Sequence, residues 1–169
     1  MHKWSFVLSL FMACSAGLLY AAEPEKQGLF RVERSKNANI VQYDAQIGPD
    51  GKLYRDEPVV AYWIRLAEEG QVEKLSWIQW VFAFGFDTVM GTDRESAEML
   101  MRGGKDRAIK VIREGDRYCG VVPIDGVPSC IEKIYVNANR KGLKANVKYF
   151  ELWGFELGSG TPRYEKVLP

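Results

Sequence analysis

Asn39-Ile40-Val41-Gln42-Tyr43-Asp44-Ala45-Gln46-Ile47 decides the fold class. Successive side chains of a strand point to opposite faces, so Val41, Tyr43, Ala45 and Ile47 share one face while Gln42, Asp44 and Gln46 share the other. That alternation predicts a half-buried β-strand with a solvated polar side. Working outward, residues 28–33 read as the strand before it, joined through Arg34-Ser35-Lys36-Asn37. Pro49-Asp50-Gly51-Lys52 reads as a turn. Pro58-Val59-Val60-Ala61-Tyr62-Trp63-Ile64-Arg65-Leu66 is apolar on both faces and belongs inside a sheet or a barrel wall.

The rhythm changes at Ser76, which caps a predicted helix over residues 77–84, Trp-Ile-Gln-Trp-Val-Phe-Ala-Phe, stopped by Gly85. Its apolar residues cover nearly the whole circumference, so it is expected to be buried against the sheet or to plug its opening. Period-two segments resume near 86–90, 95–102, 107–113, 117–124, 127–136, 145–157 and 163–167, with turns at Gly103-Gly104, Glu114-Gly115 and Asp125-Gly126. The pattern predicts a mainly β chain, an antiparallel β-sandwich or a partly closed β-barrel with one buried helix at about 76–84. Periodicity does not choose between those two.

Residues 1–21 read differently. Lys3 is followed by the uncharged, mostly apolar run from Trp4 to Tyr20, which closes on Ala21 and Ala22 before Glu23-Pro24. A bilayer-spanning helix needs roughly 20 apolar residues, so a cleavable export signal over 1–21 fits better than an anchor. The expected product is a single β-rich domain over 22–169, in the periplasm or outside the cell, with no transmembrane segment left after cleavage. Phe11-Met12-Ala13-Cys14 loosely resembles a lipoprotein signal with lipid on Cys14. Phe in place of the usual Leu, and the short apolar stretch before it, favour Cys14 as an ordinary residue of that stretch.

Export changes the available chemistry. The sequence holds 23 Lys plus Arg against 22 Asp plus Glu; without Lys3 the balance is 22 against 22. That neutral balance carries no electrostatic case for nucleic acid. His2 is the one histidine of the sequence and falls in the signal. A mature chain without histidine excludes Ser-His and Cys-His nucleophiles and imidazole-ligated zinc, copper or haem. No metal site and no cofactor is expected. Cys119 and Cys130 remain, an even count that points to a disulfide in an oxidising compartment. A two-residue turn at Asp125-Gly126 would set Val121 opposite Cys130 and leave the cysteines diagonal at about 7–8 Å, beyond a bridge's reach. A longer loop would bring them opposite, and two small buried residues on one sheet face are the other reading.

Four ordered motifs carry a family resemblance: the run from Leu29 to Asn39, Glu57-Pro58-Val59-Val60-Ala61-Tyr62-Trp63-Ile64, Ala83-Phe84-Gly85-Phe86, and Ile131-Glu132-Lys133-Ile134-Tyr135-Val136. Together they resemble a bacterial exported family catalogued as domain of unknown function 4833. The resemblance implies an exported β-rich domain from residue 28 to about 167 and no assigned activity.

Three residue sets are candidates for function. Arg34, Lys36, Asn37 and Asn39 cluster hydrogen-bond donors in one connection, suited to a carboxylate or phosphate, against the reading of a solvated turn. Tyr62, Trp63, Trp77, Trp80, Phe82, Phe84, Tyr149 and Trp153 could line a pocket for a flat apolar ligand, against plain core packing. Glu132 and Glu151 are acids in otherwise apolar strands, and a glycosidase-like pair needs two carboxylates roughly 5–10 Å apart across a cleft. The expectation is an exported, non-catalytic binding domain. Its pocket is aromatic, with Arg34 and Lys36 at the rim, and takes a small amphipathic ligand or a segment of an envelope protein. The alternatives are a histidine-independent carboxylate enzyme acting on envelope glycans and a structural envelope protein.

Overall fold

A computed structural model describes residues 23–35, 37–102, 108–141 and 144–168. Residues 1–21, where an export signal is expected, with Cys14 in them, Lys36 and the predicted Gly103-Gly104 turn lie outside the described residues. Among the described residues the chain forms β1 (Glu25–Arg34), β2 (Asn37–Ile47), β3 (Val59–Arg65), β4 (Gln71–Lys74), a helical turn Trp77–Gln79 that runs on as a π-helical turn Trp80–Phe84, β5 (Phe86–Met90), β6 (Ser96–Met101), β7 (Ala108–Glu114), β8 (Arg117–Ile124), β9 (Val127–Lys141), β10 (Lys144–Glu156) and β11 (Pro162–Val167). β4 and the one-turn segment Leu66–Glu68 before it were not foreseen.

The strands make one sheet in the order β4-β3-β2-β1-β9-β8-β7-β6-β5, with β10 on β9 and β11 on β10. It curls into an open half-barrel, which settles the choice in favour of the partly closed barrel. Neighbouring strands run antiparallel except β1 and β9, which pair in parallel from Arg31↔Lys133 to Arg34↔Val136. β8 pairs with β9 from Val121↔Cys130 to Ile124↔Val127. β10 takes up β9 from Ser129 to Lys141. β1 and β8 therefore share the remaining edge of β9, and the sheet forks there.

The inner face holds the core. Val41, Tyr43 and Ala45 are fully buried, as the alternation required, beside Phe30, Val32, Phe86, Met99, Val111, Val122 and Ile124. Tyr43 stacks on Phe30 with ring centres 4.6 Å apart and donates its hydroxyl to the Phe84 carbonyl at 2.8 Å. The polar side of β2 departs from expectation, because Asp44 and Gln46 are buried too. Gln46 donates to the carbonyl and carboxylate of Glu57, and Asp44 accepts from Tyr62 and Gln42. The 54–58 segment folds back over this side, with backbone bonds from Tyr54 to Gln46 and from Gln46 to Pro58.

The helix also needs correction. Ser76 caps it as expected, in a reciprocal box with Gln79. Gly85 ends it where a Cβ would come within 2.0 Å of the Trp80 carbonyl oxygen. Yet Trp77, Ile78 and Phe82 are 72, 64 and 71 % exposed, and within the helix only Phe84 is buried. Eight residues bridging β4 to β5 lay one side on the sheet; a helix apolar all round then leaves the rest in solvent.

Asp125-Gly126 forms the tight turn foreseen, with positive φ at both residues. Val121 faces Cys130 as that turn dictates. A disulfide nevertheless joins Cys119 to Cys130, at a Cα separation of 5.6 Å. Strand twist shortens one diagonal of an antiparallel pair, and β8 is leaving β9 at this point, so flat-ladder spacing does not apply.

Candidate functional site

Where β1 ends, alternation puts Arg34 on the inner face with Phe30 and Val32. Its guanidinium lies 5.0 Å from the centre of the Trp63 ring and 4.9 Å from that of Phe84. Those two rings meet edge to face at 5.2 Å. Trp63 comes from β3, opposite Val41 of β2, so Asn39 is its diagonal neighbour on the same face. Trp63 is only 5 % exposed, and its indole Nε1 is buried with no hydrogen-bond partner; the Asn39 Oδ1 is likewise buried without one. One is a donor and the other an acceptor. Buried polar atoms are nearly always paired, so this end of the half-barrel has complementary polar capacity beside a cation held over two rings.

Of the candidates the structure thus brings Arg34, Trp63 and Phe84 together, with Asn39 diagonal to Trp63. It places the other candidates elsewhere. Trp80 is half-buried on Phe86 at 5.0 Å, and Trp77 meets Phe82 at 6.4 Å on the exposed part of the helix. Tyr62 sits on the outer face of β3, bonded to Asp44 with Lys26 over its ring. Tyr149 and Trp153 lie on the outer face of β10, each capped by a lysine ammonium, Lys166 at 3.8 Å and Lys133 at 3.9 Å. The aromatic residues do not converge on a single pocket. Core packing, lysine capping and an exposed helical turn account for them separately.

A family model described as a domain of unknown function (DUF4833) matches residues 30–166. The chain belongs to that family. No curated protein and no solved structure matches it at a significant level. In this DUF4833 domain Glu151 accepts from the Tyr164 hydroxyl at 2.9 Å on the outer face, while Glu132 is exposed on β9. Glu151 stands opposite Tyr135, three residues along β9 from Glu132, or about 10 Å. Among the described residues no group of three or more His, Cys, Asp or Glu could hold a metal ion, and no helix is long and apolar enough to cross a membrane.

The DUF4833 domain also has a cavity of about 280 Å³ at the fork, bordered by Arg31 and Gln42, by Arg117, Cys119, Cys130 and Phe155, and by Glu132. Sequence reading missed Arg117 and Gln27 here, since the parallel pairing of β1 with β9 across about a hundred residues leaves no local signal. Phe84 was legible only as one aromatic among many.

Tyr62 gives a testable pH dependence. Burial first, and then the Asp44 carboxylate that accepts its proton, push the Tyr62 phenol well above the usual range; burial does the same to Tyr43. A phenol whose folded pKa lies above the unfolded value of about 10 contributes its full stability below that pH. The contribution is lost as the pH climbs past it, because the unfolded chain ionises first. Urea midpoints are expected to fall above about pH 10, with a shallower fall for Tyr62→Phe. Identical slopes for the two proteins would rule the Tyr62 contribution out.

Proposed function

We propose that this chain is an exported, non-catalytic binding domain that holds a small amphipathic ligand at the Arg34 end of the half-barrel. The observation that carries the reading is the pair of buried, unbonded atoms of opposite sense, Trp63 Nε1 and Asn39 Oδ1, on neighbouring strands, with the Arg34 guanidinium over the Trp63 ring. A ligand head group with one acceptor and one donor satisfies both, and charge-assisted bonds to the guanidinium favour an acidic head. The apolar part is served by the helix that ends in Phe84, whose Trp77 and Phe82 are 72 and 71 % exposed; exposed apolar surface of this kind marks interaction sites.

The carboxylate-enzyme alternative has less support. Among the described residues Glu132 is the one acid bordering its cavity, and Glu151 is engaged by Tyr164. A structural envelope role rests on the open sheet edges at β4, β5 and β11.

Native mass spectrometry of protein taken from its own host, compared with the denatured mass, tests the proposal. A reproducible extra mass is expected, lost on denaturation and lost in Trp63→Phe. The phenylalanine ring keeps the contacts with Arg34 and Phe84 but removes the unpaired donor. Ligand-free Trp63→Phe is therefore expected to be as stable as the parent or more stable by up to about 1 kcal/mol, since an unmet buried group costs about 1–3 kcal/mol. A bare mass for the parent protein, or a Trp63→Phe variant that keeps its ligand, would sink the proposal.

A further inference from the structure

We propose a second site, independent of the Arg34 end: the fork cavity binds a free, zwitterionic dipeptide of small residues, with its ammonium on Glu132 and its carboxylate on Arg117.

The fork exists because β1 and β8 leave the same edge of β9. Pairing with β8 stops at Cys130 and pairing with β1 starts at Lys133, so Ile131 and Glu132 close the apex. Glu132 is also skipped by β10, which pairs Gly154 with Ile131 and Trp153 with Lys133. It is a bulged residue, and bulges re-aim side chains beside sites. Away from the apex β1 and β8 form no ladder among the described residues; instead Tyr118 N–H donates to the Gln27 side-chain carbonyl at 2.6 Å. A side chain there stands where a neighbouring strand's carbonyl would be. The N–H and C=O of one strand residue point to the same side, so the Tyr118 carbonyl is offered to the gap as well.

Charge then selects the occupant. Glu132 and Arg117 are exposed and border the same cavity, and their side chains make no hydrogen bond or ion pair among the described residues. Arg31, the other cation, is held by Glu33 at 2.9 Å. A carboxylate at the apex and a guanidinium at the mouth match a molecule with a free amine at one end and a free carboxylate at the other. Size agrees. At about 30 Å³ per water, the cavity has room for roughly nine waters, which suits a ligand of about ten heavy atoms. Along β8 the apex lies about 13 Å from Arg117; an extended dipeptide spans about 7 Å of that, and the arginine side chain covers the rest.

Amide NMR of the purified protein, titrated with Ala-Ala, tests this. Saturable shifts are expected at Gly28, Arg117, Tyr118, Cys119 and Glu132, with none at Asn39 or Trp63. N-acetylation of the peptide and Glu132→Gln should each weaken binding at least about tenfold, and so should C-amidation and Arg117→Gln, each being the loss of one charge-assisted bond. Gly28→Val, whose Cβ meets the ends of the Gln42 and Asp44 side chains at 3.4 and 3.8 Å, should stay folded and bind no peptide. Absence of shifts at millimolar Ala-Ala overturns the proposal. Equal binding of the amidated peptide does so too, and would instead assign the cavity to the amino terminus of a longer chain.

Discussion

Replacing Tyr43 by alanine is expected to remove about 3–5 kcal/mol of stability, the cost of deleting a large aromatic from a packed core. Tyr43 is fully buried and sits where the two wings of the sheet meet, stacked on Phe30 of β1 and tilted against Phe86 of β5 at 5.8 Å. The cavity left behind has rigid walls on both sides, so collapse is limited. Loss of the hydroxyl also leaves the Phe84 carbonyl without its donor. In a domain of this size each kcal/mol moves Tm by about 2–4 °C, so calorimetry should show a fall of roughly 6–20 °C. Tyr43→Phe isolates the hydrogen bond and should cost about 1–3 kcal/mol, the penalty of an unmet buried carbonyl. Should Tyr43→Ala melt within about 2 °C of the parent, less than 1 kcal/mol by the same scale, the two wings do not share one core.

The Cys119–Cys130 bond supplies the second large effect. It closes a loop of sequence separation 11, for which unfolded-chain entropy predicts slightly less than the roughly 3 kcal/mol of a 15-residue loop. Its location concentrates the consequence. The bond ties β8 to β9 beside Val121↔Cys130, the last pair before the fork, so without it the ladder back to Asp125-Gly126 is free to fray. Urea midpoints with and without reductant should differ by that amount, and amide exchange should accelerate first at residues 119–122 and 129–131. A Cys119→Ser, Cys130→Ser double variant should behave like the reduced protein. Equal midpoints in the two conditions would show that the turn and ladder alone hold the fork.

Much of this domain is decided by short-range chemistry and was legible as sequence. The alternation from Val41 to Ile47 marks the core face of β2, the Asp125-Gly126 pair forms a tight turn because both residues take positive φ, and Ser76 and Gly85 bound the helix. Each of these depends on neighbours a few residues away. The family match over residues 30–166 likewise follows an ordered set of local motifs. What required the tertiary structure is every choice of partner. Period two states which side of a strand is apolar and is silent on which strand lies beside it. The parallel pairing of Arg31 with Lys133, the fork it creates and the bulge at Glu132 had no local signature. The same holds for covering. Asp44 and Gln46 are polar residues on the expected solvent side, yet the 54–58 segment and Tyr62 bury them because their hydrogen bonds are met there. The apolar helix, conversely, is exposed because a span of eight residues has one side to give the sheet. The aromatic residues divide between the inner face, the outer face and the helix. Hydrophobicity and ring count are properties of the residue, whereas the face it occupies is set by strand register and by what folds across it.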